Sequence, residues 1–396
     1  MCQPPESVAV TALPPPDTES MRVSRELSAQ IRCEMNANDG AISFARYMVL
    51  ALYAPGLGYY AAGGRKFGPQ GDFVTAPEIS PLFSRCVARQ VAQVLTRLGG
   101  GGVLEIGAGT GALSAVLLRE LDALDCLPPR YLILEPSPDL AERQQSRLSK
   151  ETPAGVTLDW LQDLPPPGFE GVVIANEVLD AFPAHRFRVT PEGFEEAFVG
   201  VDGDRFCWVF RPPTSPGLLP ALETLAGKLN GPLPTPYISE IRLSHGPWVE
   251  ELARRVQRGV VLLFDYGYPR HEYYHPQRAQ GTLNCYYRHR LHDDPLILTG
   301  LQDISVHVDF TAVAEAASDF QVAGFTTQAD FLIATGITEM VEMPAAVDAE
   351  ALDLARQIRI LTLPGEMGEV IKVMALTRDV DDALVGFALR DHRPRL

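Results

Sequence analysis

The run Val103-Leu104-Glu105-Ile106 halts on Gly107-Ala108-Gly109-Thr110-Gly111, and helical spacing begins at once over residues 111–121. Alternate glycines let a backbone turn sharply from strand to helix, and they admit a ligand where a Cβ would collide. The segment therefore commits the chain to a strand, tight turn and helix unit. The following sequence repeats that unit. Tyr131 to Leu134 is a second apolar run, closed by Glu135 and Pro136 and followed by a polar helical stretch over 139–148. Residues 156–160 and 172–175 are a third and a fourth run, 260–264 is the best fifth, and 370–376 is a final strand. Strands alternating with helices predict a parallel, doubly wound α/β sheet.

The 396 residues are too many for one small core. Helical patterns occupy 42–53 and 81–98, with a glycine-rich loop over 63–80 between them. Residues 187–211 alternate, with turns at Pro191-Glu192-Gly193 and Asp202-Gly203-Asp204, and read as an inserted antiparallel meander. Residues 265–311 read as irregular, aromatic and His-rich. The expected organisation is a disordered tail over 1–20, a helical N-terminal region over 21–100, and one sheet domain over 101–380. That domain carries insertions at about 187–245 and 265–311, and residues 381–396 form a C-terminal tail. A single domain is expected because the fifth and last strands follow the insertions.

Charge narrows the function. Lys plus Arg number 34 against 50 Asp plus Glu, a net charge of −16, which excludes a general nucleic-acid binder and suits a cationic partner. With 46% hydrophobic and 21% charged residues, global disorder is excluded. The six cysteines are widely separated, with no C-x-x-C pair, and no apolar stretch is long enough for a membrane span. The first basic residue of the tail is Arg22, unlike a signal or transit peptide, so a cytoplasmic location is expected.

The glycines of 107–111 fit a nucleotide-type cofactor. With Ala112 they can be forced into the dinucleotide pattern G-x-G-x-x-A, but Glu105 would then face a pyrophosphate. The same acid can attract the ammonium and sulfonium of S-adenosylmethionine, which is therefore the expected cofactor. It is expected on Gly107, Ala108 and Gly109, with Glu135 at the next strand end accepting its ribose hydroxyls. Trp160 and Leu161 would either cover the adenine or join the core. Asn176 and Glu177 end the fourth strand, facing the methyl donor and the acceptor. If the chain turns helically there, Glu177 and Asp180 share a face and can clamp a guanidinium.

Two histidine patterns invite other chemistry. His271-Glu272-Tyr273-Tyr274-His275 spells the H-E-x-x-H of zinc proteases, which works only on a continuous helix. Pro276 pushes His275 out of helical geometry, so no metal is expected. His307 and Asp309 lie on one face if 304–310 is extended, where the pair can act as a general base or simply fix a loop.

Taken together, the motifs resemble one family, the mitochondrial dysfunction protein A family of methyltransferases. The resemblance rests on Gly58-Tyr59-Tyr60, the loop from Phe67 to Ser80, the glycine motif, and Ala175-Asn176-Glu177-Val178-Leu179-Asp180-Ala181. It continues through Ser239-Glu240, Asp265-Tyr266-Gly267, the segment from Tyr274 to Arg278, Gly281-Thr282-Leu283, the segment from Asp303 to Phe310, and Met367-Gly368-Glu369 with Lys372. The resemblance implies a Rossmann-like class I methyltransferase fold, with a mostly parallel seven-stranded sheet, helices on both faces, an antiparallel β insertion and a helical N-terminal region. It implies that the loop with Thr75, Pro77 and Glu78 closes over the methionine end of S-adenosylmethionine. Its mitochondrial members methylate an arginine, and this chain, without their transit segment, looks like a bacterial relative. The expected substrate is a protein with a basic segment, such as a respiratory-complex subunit. The alternatives are an assembly chaperone that binds the cofactor and a methyltransferase of small molecules.

Overall fold

The computed structural model describes residues 13–62, 74–341 and 349–396. Of the disordered tail expected over 1–20, residues 1–12 lie outside them, as do residues 63–73 of the loop expected over 63–80, whereas residues 18–20 of that tail open a helix. Two compact units replace the single expected domain. The first takes the described residues up to Ala62 with Asp180–His245 and Arg270–His307, and the second takes Val74–Leu179, Gly246–Pro269 and Val308–Leu396.

The second unit is built on seven strands: β1 (Gly102–Ile106), β2 (Arg130–Leu134), β3 (Thr157–Leu161), β4 (Phe169–Asn176), β5 (Val256–Tyr268), β6 (Gln321–Thr327) and β7 (Ile371–Arg378). Their order is β6-β7-β5-β4-β1-β2-β3, and a two-residue strand, Val308–Asp309, pairs with the end of β5. β1 to β5 run parallel, whereas β7 is antiparallel to both of its neighbours. Both sheet faces are covered, which is why these strands read as continuous apolar runs rather than alternating ones. Val103, Ile133, Val172, Ile174, Leu262 and Phe264 feed one core. The residues between them, Leu104, Leu132, Val173, Ala175 and Leu263, feed the other.

A row of glycines crosses the centre of this sheet, Gly102 pairing with Gly171 and Gly171 with Gly259. A Cβ on Gly171 would stand 1.9 Å from the Gly102 carbonyl oxygen, and one on Gly259 would stand 1.9 Å from that of Gly171.

The helix Pro81–Leu98 starts on Ser80, whose Oγ accepts from Leu82 N, and stops at Gly99 with φ of 75°. It packs Phe83 edge-on against Phe264, at 5.4 Å between ring centroids. This contact assigns it to the second unit and divides the helical region expected over 21–100. Residues 381–396, expected as a tail, pack back: Gly386 N donates to Gln90 Oε1 and His392 N to the Phe325 carbonyl.

In the first unit, helices Thr18–Asn36 and Phe44–Tyr53 pack Leu27, Ile31, Phe44 and Tyr47 with Trp208 and Val306. Asp17 caps the first helix through Ser20 N, at 2.8 Å. The expected meander consists of His185–Thr190, Gly193–Asp202 and Arg205–Arg211, joined antiparallel in a five-stranded sheet with Ile42–Ser43 and Tyr237–Ile241. The stretch expected to be irregular over 265–311 holds a second sheet of three strands, Arg290–His292, Leu283–Tyr287 and Asp303–Val306. Its strands are short, and Leu283, Cys285, Ile304 and Val306 join the same core. No helix among the described residues is long and apolar enough to cross a membrane. Cys33, Cys86, Cys126 and Cys285 are free.

Candidate active site

In the second unit, the strand order reverses between β1 and β4, and ligands of such sheets bind outside the carboxyl ends of the strands at that point. The residues expected on the cofactor collect there. Gly107, Gly109 and Gly111 have φ of 67°, 55° and 75°, the left-handed conformation that glycine adopts without strain. A Cβ on Gly107 would also stand 3.1 Å from Val178 Cγ2. Ala108 is buried between the first two glycines.

Glu105 lies beneath the turn and is 2% exposed. Its Oε2 accepts from Ser114 Oγ and, at 2.5 Å, from the Tyr131 hydroxyl. Burial raises its pKa above the ordinary carboxyl value, against the lowering effect of these hydrogen bonds. The carboxyl is thus held inside the unit and is not an open strand-end acid. Glu135 ends β2, its Oε1 accepting from Ser137 N and its Oε2 from Gln144 Nε2, both at 3.0 Å. Trp160 and Leu161 end β3, half-buried: the indole Nε1 donates to Gln144 Oε1 at 3.0 Å, and the Leu161 carbonyl accepts from Glu135 N.

A short turn, Ala76–Ile79, bridges the ends of β1 and β4. Thr75 opens it in extended conformation, and Pro77 lies in its first turn. Glu78 Oε1 accepts from Thr110 Oγ1, and Ala76 N donates to Glu177 Oε1 at 3.3 Å. Asn176 Nδ2 donates to the same Glu177 oxygen.

Glu177 has φ of 53°, so the chain does not turn helically after β4. The expected shared helical face for Glu177 and Asp180 is therefore absent. Asp265, buried at the same level of β5, holds this turn by accepting from Val178 N and Leu179 N at 3.1 and 2.8 Å.

Asp180 belongs to the first unit, where burial pushes its pKa up to about 6 although the nearby Arg242 guanidinium opposes the rise. Arg242 donates to the carbonyls of Asp180, Phe182, Val306 and His307, with 2.9 Å to Phe182 and 2.6 Å to His307. His307 also belongs to the first unit, its N donating to Thr282 Oγ1. Asp309 belongs to the second and caps the helix Phe310–Ala316 through Ala312 N. The H-E-x-x-H tract is helical only over Arg270–Tyr273, which leaves His275 outside, as the proline requires.

The model for the family of S-adenosyl-L-methionine-dependent methyltransferases called Methyltransf_28 matches residues 86–326. The chain belongs to this family. A superfamily member from Burkholderia thailandensis, solved with S-adenosyl-homocysteine bound, is 40% identical to it. The two superpose with a TM-score of 0.89 over 97% of this chain and 100% of that one. Protein arginine methyltransferase NDUFAF7, mitochondrial, is 29% identical in Mus musculus over 85% of this chain and 81% of its own length. The Homo sapiens protein is 28% identical over 85% and 80%. S-adenosylmethionine is thus the cofactor of this methyltransferase, and the dinucleotide alternative falls.

The site of this methyltransferase fits that cofactor. The glycine turn opens its backbone, and acids stand at the ends of β2 and β4. Ser137 Oγ and Asn176 Oδ1, buried beside those ends, have no hydrogen-bond partner among the described residues and can serve the ligand's polar groups. The sequence reading missed Gln144, Asp265, Ser137 and Arg242 as parts of the sites. Gln144 had a legible signal: with Leu140 and Leu148 it forms the buried stripe of the helix Pro138–Glu151, where a polar residue needs partners. Arg242 had none, because its partners are backbone carbonyls.

Proposed function

We propose that this methyltransferase acts on arginine side chains of a protein substrate that carries a basic segment. The observation that carries the reading is the similarity to the protein arginine methyltransferases of mouse and human along 85% of the chain. Two features agree with it. The net charge of −16 favours a cationic partner. Glu177, fixed at the end of β4 by Ala76 N, offers a carboxylate to a guanidinium, which it can meet through two hydrogen bonds.

When bound, the cofactor supplies an electrophilic methyl group. The contribution of this chain is then mainly positioning: Glu177 aims the acceptor nitrogen, and Asn176 and the glycine turn hold the donor. The turn Ala76–Ile79 links the donor and acceptor ends by touching both Thr110 and Glu177.

The test is incubation of the purified chain with methyl-labelled S-adenosylmethionine and a lysate from a strain lacking the gene, followed by mass spectrometry of the labelled material. Label on arginine in a single protein is expected. Label on a small molecule or on another side chain would overturn the reading. Cofactor binding with no label in any fraction would favour the assembly-chaperone alternative.

A further inference from the structure

We propose that Gln144 is the positioning residue of the nucleoside half of the cofactor site, setting the Glu135 carboxylate and the Trp160 ring for an adenosine. The inference rests on the assignment of those two residues to that half of the site.

Gln144 is fully buried on the helix Pro138–Glu151, and its amide spans three strand ends at once. Nε2 donates to the Gly109 carbonyl at 2.9 Å and to Glu135 Oε2 at 3.0 Å. Oε1 accepts from Trp160 Nε1 at 3.0 Å. Gly109 belongs to the turn after β1, Glu135 follows β2, and Trp160 lies in β3.

The orientation of the amide is determined by its partners. An indole nitrogen only donates, while a carbonyl and a carboxylate only accept, so a flipped amide would lose all three bonds. The Glu135 carboxylate is thereby pinned from two directions, by Ser137 N on Oε1 and by Gln144 on Oε2. A carboxylate fixed in this way presents a defined edge to a pair of vicinal hydroxyls. The tether on the indole nitrogen fixes the rotation of the Trp160 ring in the same manner. Losing the amide would remove one anchor each from the glycine turn, the ribose acid and the ring. The Gln144 amide bonds to groups at the ends of β1, β2 and β3 and to none at the end of β4, where the acceptor is expected, so its loss should act on cofactor affinity and not on the transfer step.

Two near-isosteric variants test this, read by calorimetric titration with S-adenosyl-homocysteine. Gln144→Met removes the donors and the acceptor, and should weaken binding about tenfold. The KM for S-adenosylmethionine should rise equally, with kcat at saturation unchanged. Gln144→Glu keeps the acceptor for Trp160 but sets a second carboxyl against Glu135. Its binding should be weakest at pH 8 and recover toward about pH 5.5, where a proton shared by the two carboxyls restores a donor. A merely structural role would not produce that pH rescue.

Wild-type affinity in Gln144→Met would overturn the proposal, as would a Gln144→Glu variant whose affinity follows the wild-type pH profile. If Gln144→Met does not fold, the pH profile of Gln144→Glu decides. Glu135→Ala separates the two levels of the argument. If it weakens binding while the Gln144 variants do not, the positioning role fails alone. If neither does, the assignment of Glu135 fails with it.

Discussion

Single side chains in this protein are committed by burial before they are committed by chemistry. Asp180 is the clearest example, because burial raises its pKa from 3.8 to about 6 while Arg242 opposes the rise. Between those values the native state keeps a proton that the unfolded chain has released. Stability attributable to this group is therefore present below pH 3.8 and is lost as pH rises to about 6, by up to about 1.4 kcal/mol per pH unit. Asp180→Asn should flatten that part of the stability profile, measured by denaturant unfolding from pH 4 to 7. An unchanged slope would remove Asp180 as its source. Glu105 is held by the same force, which the sequence did not show. Two residues before a glycine turn it looks like an acid open to a cofactor's charge, yet Ser114 and Tyr131 claim it from below. Nothing in its own position reveals those partners, which come from other elements. The placement of Glu135, Asn176 and Glu177 at strand ends was legible because those ends are fixed by the apolar runs before them.

At the level of elements, the large sheet and the meander were readable and the three-stranded sheet was not, and the reason is packing. β1, β2, β4 and β5 are buried on both faces, so their sequences are apolar whatever surrounds them. The strands Leu283–Tyr287 and Asp303–Val306 contain Asn284, Tyr286, Asp303 and Ser305 among their apolar residues. They are defined by pairing with each other. The helical turn expected after β4 failed because Asp265, a residue far along the chain, organises that turn. Close approach of β1 and β4 depends on Gly171, whose φ is 142° and whose Cβ, if present, would stand 1.9 Å from the Gly102 oxygen. Gly171→Ala should destabilise the protein by more than about 4 kcal/mol, because the Gly102 backbone must move and the positive φ is strained for alanine. The denaturation midpoint checks this, and a midpoint near that of the wild type would contradict the rigidity of the glycine row. Any protein that does fold should bind S-adenosyl-homocysteine normally, since the row lies at the other end of β4 from Asn176.

For the molecule as a whole, the net charge of −16 gives the proposed substrate preference a measurable consequence. Raising ionic strength from about 50 to about 300 mM should increase the KM for a basic protein substrate severalfold through screening. S-adenosyl-homocysteine binding should change less than about twofold over the same range, because buried contacts are screened little. A KM insensitive to salt would detach the acidic surface from substrate capture. Neither compact unit is continuous along the chain. The first draws on three stretches, and the second resumes after each of them. β7, the last strand to appear in the sequence, lies between β5 and β6, so the sheet cannot be completed in the order in which it is written. On the ribosome, β5 must wait with most of one edge unpaired until Ile371–Arg378 has emerged, and β6 must wait beside an empty lane. Unpaired edges recruit other chains. A premature stop anywhere before Ile371 would therefore yield an adhesive fragment and not a smaller methyltransferase, and the burden of synthesis falls on whatever shields nascent strands in the cell.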